Sequence, residues 1–382
     1  MGLFFLVFIA SVTILPEPTK TDIYRGVGGD TFEEYLQNSQ NPELSNKFEA
    51  MFGAVGDIML SRNVAGQIQK NNKDGNWPFL NTKEWLATND FNFGNLESPY
   101  SGRDDFNPSG SLIFNAPTWT LPGLINNKFK ILNLANNHAF DQGLDGLLYT
   151  KKMLNDNGIA NIGVGENLEE AWQGQSIISN NINVGFIGAS YASVNDGGKE
   201  SNSNVARIED ITRLKKSIEE LRSRADFIVV TMHAGTEYTT KPNDSQIAFA
   251  HSAIDAGADM VIGAHSHWVQ NFENYNGKYI FYGLGNFVFD QEWSQETKEG
   301  LALKITLMKD GNCPTDPRIA MEGGRAACGN NIQGSVMLGA NLKQIELVPI
   351  IVENYGQPRI ATDIEKQKIL NKIGATTTVI TP

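Results

Sequence analysis

Basic residues, cysteine and long apolar runs are all scarce in this chain, and each shortage bears on what it can do. The 382 residues hold 31 Lys and Arg against 43 Asp and Glu, giving a formal net charge of -12 and a pI near 5.0. A general nucleic-acid binder needs a basic surface to meet phosphates, so the balance argues against that class. It leaves open an anionic substrate held through metal ions. Cys313 and Cys328 are the only cysteines, and their spacing fits no zinc pattern. They fall in the Gly-, Pro- and Asn-rich segment Lys309 to Gly334. There they either close a small loop as a disulfide, worth roughly 3 kcal/mol in an oxidising compartment, or stay as two thiols.

Only one apolar run stands out, Leu3 to Leu15, ended by Pro16-Glu17-Pro18 and without a later counterpart. It is shorter than the roughly 20 residues that span a bilayer, and it has the length of a signal-peptide core. No Lys or Arg precedes it and no A-x-A-like site follows, so a buried strand is the alternative to export. No internal repeat is evident. The expected layout is a signal-like or membrane-anchor segment at 1–16, a polar linker at 17–46 with one short helix near Thr31 to Gln37, and a folded domain at 47–375 with an insertion at 309–334.

Histidine is scarce too, and its placement is informative. Of His138, His233, His251, His265 and His267, all but His251 follow strand-like runs. Asp259 to Ile262 reads as a buried strand after a helix closed by Gly257, which puts His265 and His267 just past a strand's carboxyl end, where α/β folds place their sites. If that segment is extended, alternate side chains point the same way, and the two imidazoles share one cation or flank two. Two solvated loop histidines are the other reading. His251 lies inside the helix Pro242 to Ala256 and is assigned to packing or surface.

Other strand ends carry the same kinds of donor. Lys47 to Asp57 runs as a strand into Gly56-Asp57, a carboxylate positioned for a cation or simply a turn. A helix over Trp77 to Thr88 leads to the strand Asp90 to Glu97, ending in Gly94-Asn95-Leu96-Glu97. After the polar insertion Ser101 to Ser111, the strand Lys130 to Ala135 is followed by Asn136-Asn137-His138-Ala139-Phe140-Asp141. Leu144 to Asn155 is an amphipathic helix, Ile177 to Ala189 two strands turning at Asn180-Asn181, and Ser190 to Asn204 a loop edging the site. Ile208 to Arg224 is a helix, and Asp226 to His233 a strand ending in histidine. Tyr279 to Asp290 is aromatic and glycine-rich. Strands follow at Leu301 to Met308 and Leu342 to Val352, then a helix from Thr362 to Ile373, capped by Thr362 and Asp363. Alternating strands and helices predict an α/β fold, and the strand-rich later portion a second sheet. Asp57, Glu97, Asn137, His138, His233, His265 and His267 form an ordered O/N donor set. Such a set suits one or two divalent ions, with Mn, Fe, Zn and Co not distinguished.

Taken in order, Gly56-Asp57-Ile58-Met59, Gly94-Asn95-Leu96-Glu97, Asn136 to Asp141, Met232-His233-Ala234-Gly235, Gly263-Ala264-His265-Ser266-His267 and Gly283 to Asp290 resemble the CapA family of poly-gamma-glutamate capsule synthesis proteins. That family's domain is similar to the calcineurin-like metallophosphoesterases, and the resemblance runs from about Phe48 to Ile373. It implies a metallo-dependent phosphatase-like fold, a four-layer α/β/β/α sandwich. In metallophosphoesterases the first motif also supplies a histidine, where this chain has Met59, and the second a bridging aspartate, where it has Asn95 and Glu97. The resemblance therefore gives the bridge to Glu97, one ion to Asn137, His233 and His265, and the other to Asp57 and His267. His138 becomes a general acid oriented by Asp141, and Asn95, Asn136 and Asn286 support the ligands from behind.

The function implied is extracytoplasmic capsule or poly-gamma-glutamate biosynthesis with a metal-dependent hydrolase or transfer centre. An anionic polymer or phosphoester is the substrate, other capsule-synthesis membrane components are the partners, and nucleic acid is not among them. A non-catalytic polymer-binding or assembly component is one alternative. A metal-dependent phosphoesterase on an unknown substrate is the other.

Overall fold

The computed structural model describes residues 46–107, 110–191, 203–311 and 339–382. The expectations for the segment at 1–16, the linker, most of the loop Ser190 to Asn204, most of the insertion, and Cys313 and Cys328 lie outside the described residues. Chain contacts group Lys47–Asp310 with Met337–Pro382 as one compact unit.

Among the described residues, fifteen strands form two sheets. In chain order they are β1 (Asn46–Ile58), β2 (Phe91–Leu96), β3 (Phe129–Asn133), β4 (Ala160–Ile162), β5 (Gln175–Ser179), β6 (Ile182–Ser190), β7 (Phe227–His233), β8 (Met260–Ala264), β9 (Phe272–Tyr275), β10 (Lys278–Phe281), β11 (Asn286–Val288), β12 (Glu299–Gly311), β13 (Asn341–Glu353), β14 (Gln357–Ile360) and β15 (Val379–Ile380). The first sheet has the order β14-β13-β12-β1-β2-β3-β4, with β11 beside β1 and β15 beside β13; the second runs β5-β6-β7-β8-β10-β9. The strands nearest the site, β1 to β4 and β6 to β8, pair in parallel. Their residues are accordingly buried on both faces: every residue of β2, β7 and β8 is inaccessible, as expected for parallel strands covered on each side.

Three apolar cores account for the layering. One joins the two sheets: Phe93 of β2 stacks on Phe186 of β6 at 5.4 Å, and Phe52 of β1 meets the same ring edge-on at 5.8 Å. A second packs the first sheet under the helices α1 (Arg62–Lys70) and α2 (Gly143–Asp156), through Val64, Ile68, Leu147 and Leu154. The third packs the second sheet under α3 (Ile211–Arg222) and α4 (Asp244–Asp255), through Leu214, Ile218, Leu221 and Phe249. The result is the expected four-layer α/β/β/α sandwich. No helix among the described residues is long and apolar enough to cross a membrane.

Several elements differ from the sequence reading. Trp77 to Thr88 is a 3-10 turn at Trp77–Phe79 followed by a short helix at Lys83–Ala87, because Pro78 tolerates a helix start and not a helix interior. The strands β14 and β15 were not anticipated; α5 (Asp363–Lys372) lies between them. The hairpin of β5 and β6 turns where expected, with Asn180 and Asn181 at φ 47° and 63°, the left-handed pair that a two-residue loop requires.

Candidate metal centre

Register builds the first half of the site. Across the first sheet Asn286 lies opposite Asp57, Asp57 opposite Asn95, and Asn95 opposite Asn133, so four strands contribute one polar row. Asp57 sits inside β1 rather than in a turn. A Cβ on the preceding Gly56 would lie 1.9 Å from the Gly285 carbonyl oxygen, so only glycine permits the close approach that brings β11 alongside. Glu97 follows β2 directly. The second sheet contributes His233, the last residue of β7, and His265 and His267, which follow β8.

Hydrogen bonds fix the orientation of each group. Asn133 Nδ2 donates to the Ala135 carbonyl and to Asn95 Oδ1, both at 2.8 Å. Asn95 Nδ2 is thereby left to donate to Asp57 Oδ1 at 2.8 Å and to face His233 Nδ1 at 3.0 Å. His233 Nδ1 is the acceptor in that pair, so Nε2 carries the proton, 2.7 Å from Asn137 Oδ1 and 3.1 Å from His265 Nδ1. Asp57 Oδ2 accepts the His265 backbone N–H at 3.3 Å. Asn286 Nδ2 is committed to the Thr297 carbonyl at 2.9 Å, which turns its Oδ1 to His267 Nδ1, also at 2.9 Å. Asp141 Oδ2 lies 2.7 Å from His138 Nδ1 and accepts the Phe114 backbone N–H at 2.6 Å, while the Phe114 ring stacks on the imidazole at 3.8 Å. Asn136 braces the loop, its amide donating to the Leu96 carbonyl and its oxygen accepting the His138 N–H.

Glu97 stands outside this network. It is fully buried, and neither carboxylate oxygen has a hydrogen-bond donor among the described residues. Around its Oε1 lie three imidazole Nε2 atoms: His138 at 3.8 Å, His267 at 3.9 Å and His233 at 4.0 Å. Donor atoms of Asp57, Glu97 and His233 all fall within 4.8 Å of one another. Burial pushes the Asp57 carboxyl up to about 7. Burial, then the neighbouring Asp57 charge, raises Glu97 well above the usual carboxylate range. Burial also drives His233 well below its usual value, His265 to about 3 and His267 to about 4, so these rings are neutral near pH 7, and His267, with its Nδ1 proton on Asn286, offers a lone pair at Nε2. A buried carboxyl without a donor, Glu97, beside a second carboxyl, Asp57, and neutral imidazoles fits a divalent cation, because an unpaired buried carboxylate is otherwise costly. The mixed oxygen and nitrogen donors suit Mn, Fe, Zn or Co.

All the sequence-selected side chains from Asp57 to Asn286 converge here, although not as an extended H-x-H would place them. His265 and His267 sit at φ 96° and 55°, in left-handed backbone, and their ring centroids stand 6.3 Å apart. His265 turns to His233, and His267 turns to Asn286. Met59 is fully buried in the core beneath α1. His251 stays away from the site, half-buried, stacked on Tyr275 and 3.1 Å from Glu273. Four contributors escaped the sequence reading: Asn133, Phe114, Tyr238, whose ring stacks on His267 at 5.9 Å, and the buried pair of Arg62 with Asp290. Arg62 was detectable as a lone basic residue two positions after the apolar Ile58-Met59-Leu60. Nothing local marks Asn133, whose role comes from strand register.

Residues 52–291 match the family model described as bacterial capsule synthesis protein PGA_cap. The chain is 32% identical over 273 residues to the capsule biosynthesis protein CapA of Bacillus anthracis, covering 69% of this chain and 65% of that protein. It is 31% identical over 277 residues to the PGA biosynthesis protein CapA of Bacillus subtilis strain 168, covering 72% of each. Among solved structures, the calcineurin-like phosphoesterase YfkN of Bacillus subtilis aligns with a TM-score of 0.38 and 13% identity over 86% of this chain and 96% of that one.

Proposed function

This chain belongs to the bacterial capsule synthesis protein family, the CapA-type proteins of poly-gamma-glutamate biosynthesis, and from that premise we propose that it contributes a metal-dependent hydrolytic or transfer step to making such a polymer outside the cytoplasmic membrane. The observation that carries the metal reading is Glu97, buried with two donorless oxygens among imidazoles. Glu97, Asp57 and His267 would hold a cation on one side; Asn137, His233 and His265 would hold a second on the other only once it displaces the proton that His233 Nε2 places between Asn137 Oδ1 and His265 Nδ1. A divalent ion bound there supplies Lewis acidity toward a phosphoryl or acyl oxygen and lowers the pKa of bound water. The chain's own residues keep the donors in place: Asn133 and Asn95 orient Asp57 and His233, Asn286 orients His267, and Asp141 orients His138.

The location rests on the apolar run Leu3 to Leu15. The partners proposed are other membrane components of capsule synthesis, and the substrate is an anionic polymer or a phosphoester.

Metal analysis of the purified full chain tests the centre. At least one equivalent of a divalent transition metal is expected, and Glu97→Gln should lose most of it. A metal-free wild type after loading and dialysis sinks the reading. Chain-length analysis of poly-gamma-glutamate incubated with the loaded protein then separates hydrolysis or transfer from polymer binding alone. Cell fractionation, with thiol mapping of Cys313 and Cys328, tests the location, and a cytoplasmic protein with two free thiols overturns that part.

A further inference from the structure

The resemblance to metallophosphoesterases gives His138 to proton delivery, but the hydrogen bonds around it support a different role. Asp141 Oδ2 accepts from His138 Nδ1 at 2.7 Å and from the Phe114 backbone N–H at 2.6 Å, so Nδ1 carries the ring proton and Nε2 presents a lone pair. His267 is arranged in the same way: Nδ1 gives its proton to Asn286 Oδ1 and Nε2 presents a lone pair. Both lone pairs face one atom, Glu97 Oε1, at 3.8 and 3.9 Å. These separations are too long for a hydrogen bond. Two imidazole lone pairs thus converge on one carboxyl oxygen without a hydrogen bond to it, and all three side chains are buried.

The second group of donors differs. There the proton on His233 Nε2 is shared between Asn137 Oδ1 and His265 Nδ1, so the groups satisfy one another. Ligand atoms bound at about 2.1 Å to a common ion lie about 3 to 4 Å apart, and the separations of His138 and His267 from Glu97 Oε1 fall in that range. Met59, fully buried in the apolar core, supplies no nitrogen to this side of the centre.

We propose that His138 is itself a metal ligand, holding a divalent cation through Nε2 together with Glu97 and His267, in compensation for the imidazole that Met59 does not supply. Asp141 then acts as the carboxylate behind a metal-bound histidine, fixing its tautomer. This rests on the metal reading above, and the experiment separates the two.

The full-length chain is stripped with a chelator and titrated with Mn²⁺ or Zn²⁺ by calorimetry. The Co²⁺ form is examined by visible absorption, whose ligand-field bands report the number of nitrogen donors. Wild-type binding tests the metal reading alone. His138→Gln keeps bulk and polarity at the position, and a thermal melt of the stripped protein confirms folding. If His138 is a ligand, His138→Gln weakens the cation by at least the 10–100-fold that a supporting residue costs and shifts the Co²⁺ bands, and His267→Gln does the same. If His138→Gln binds with wild-type affinity and an unchanged Co²⁺ spectrum, the proposal is overturned and His138 returns to proton delivery.

Discussion

At the scale of single residues, the centre depends as much on amides as on the groups that would touch a cation. Asn286 is the clearest case: with its Nδ2 tied to the Thr297 carbonyl, its oxygen can only accept, and His267 Nδ1 must donate. Asn286→Ala releases that constraint and should cost about 10–100-fold in metal affinity by calorimetry, with Asn286→Asp recovering most of it because a carboxylate also accepts. Wild-type affinity in the alanine variant would remove Asn286 from the support of the site. Donor types were legible in the sequence because carboxylate, amide and imidazole follow strand-like runs. Their roles were not. The tautomer of His233 is set by a relay from the Ala135 carbonyl through Asn133 and Asn95, which exists only once β1, β2 and β3 are in register. The backbone of His265 and His267 was misread for a related reason, since nothing in a two-histidine pattern declares a positive φ.

At the scale of elements, the C-terminal helix offers a pH test away from the centre. Glu365 closes a capping box on Thr362, whose N–H and hydroxyl both reach its carboxylate, at 2.8 and 2.9 Å, and Arg359 grips it with two nitrogens at 2.8 and 2.9 Å. Those bonds, Arg359 first, lower the Glu365 pKa from 4.5 to about 2. A carboxyl whose folded pKa is depressed stabilises the fold fully above its unfolded pKa and loses that contribution as pH falls toward the folded one. Protection of α5 amides should therefore decline between about pH 4.5 and 2, and Glu365→Gln should show weaker protection at pH 6 and little of that decline; hydrogen exchange read by mass spectrometry resolves both. A wild-type profile flat across this window would contradict the assignment. The helix was legible from Thr362 and the residues after it, and the Asn180-Asn181 hairpin from its two left-handed formers. The strand β14 was not, because Gln357-Pro358-Arg359-Ile360 has neither length nor alternation. Proline is tolerated there because β14 is an edge strand.

At the scale of the whole molecule, the two sheets are joined twice, by the phenylalanine core and by the polar centre at their carboxyl ends. Phe186 lies four residues before Ser190, the register partner of His233, which puts it about 13 Å along the strand from the centre. Asp57 and Glu97 come from the first sheet, and His233, His265 and His267 from the second, so a cation held among them binds the folded state and has no matching site in the unfolded chain. A ligand at 100 times its Kd stabilises the folded state by about 2.7 kcal/mol. Phe186→Ala should cost about 3–5 kcal/mol in urea unfolding, by opening a cavity against Phe52, Phe91 and Phe93. Because the two sites are distant and share no partner, the effects should add: the metal increment should be the same in Phe186→Ala as in wild type. In Glu97→Gln the increment should vanish while the metal-free protein holds or gains stability, since the substitution removes a buried carboxyl that has no donor. An undiminished increment in Glu97→Gln would mean that the stabilising ion binds elsewhere.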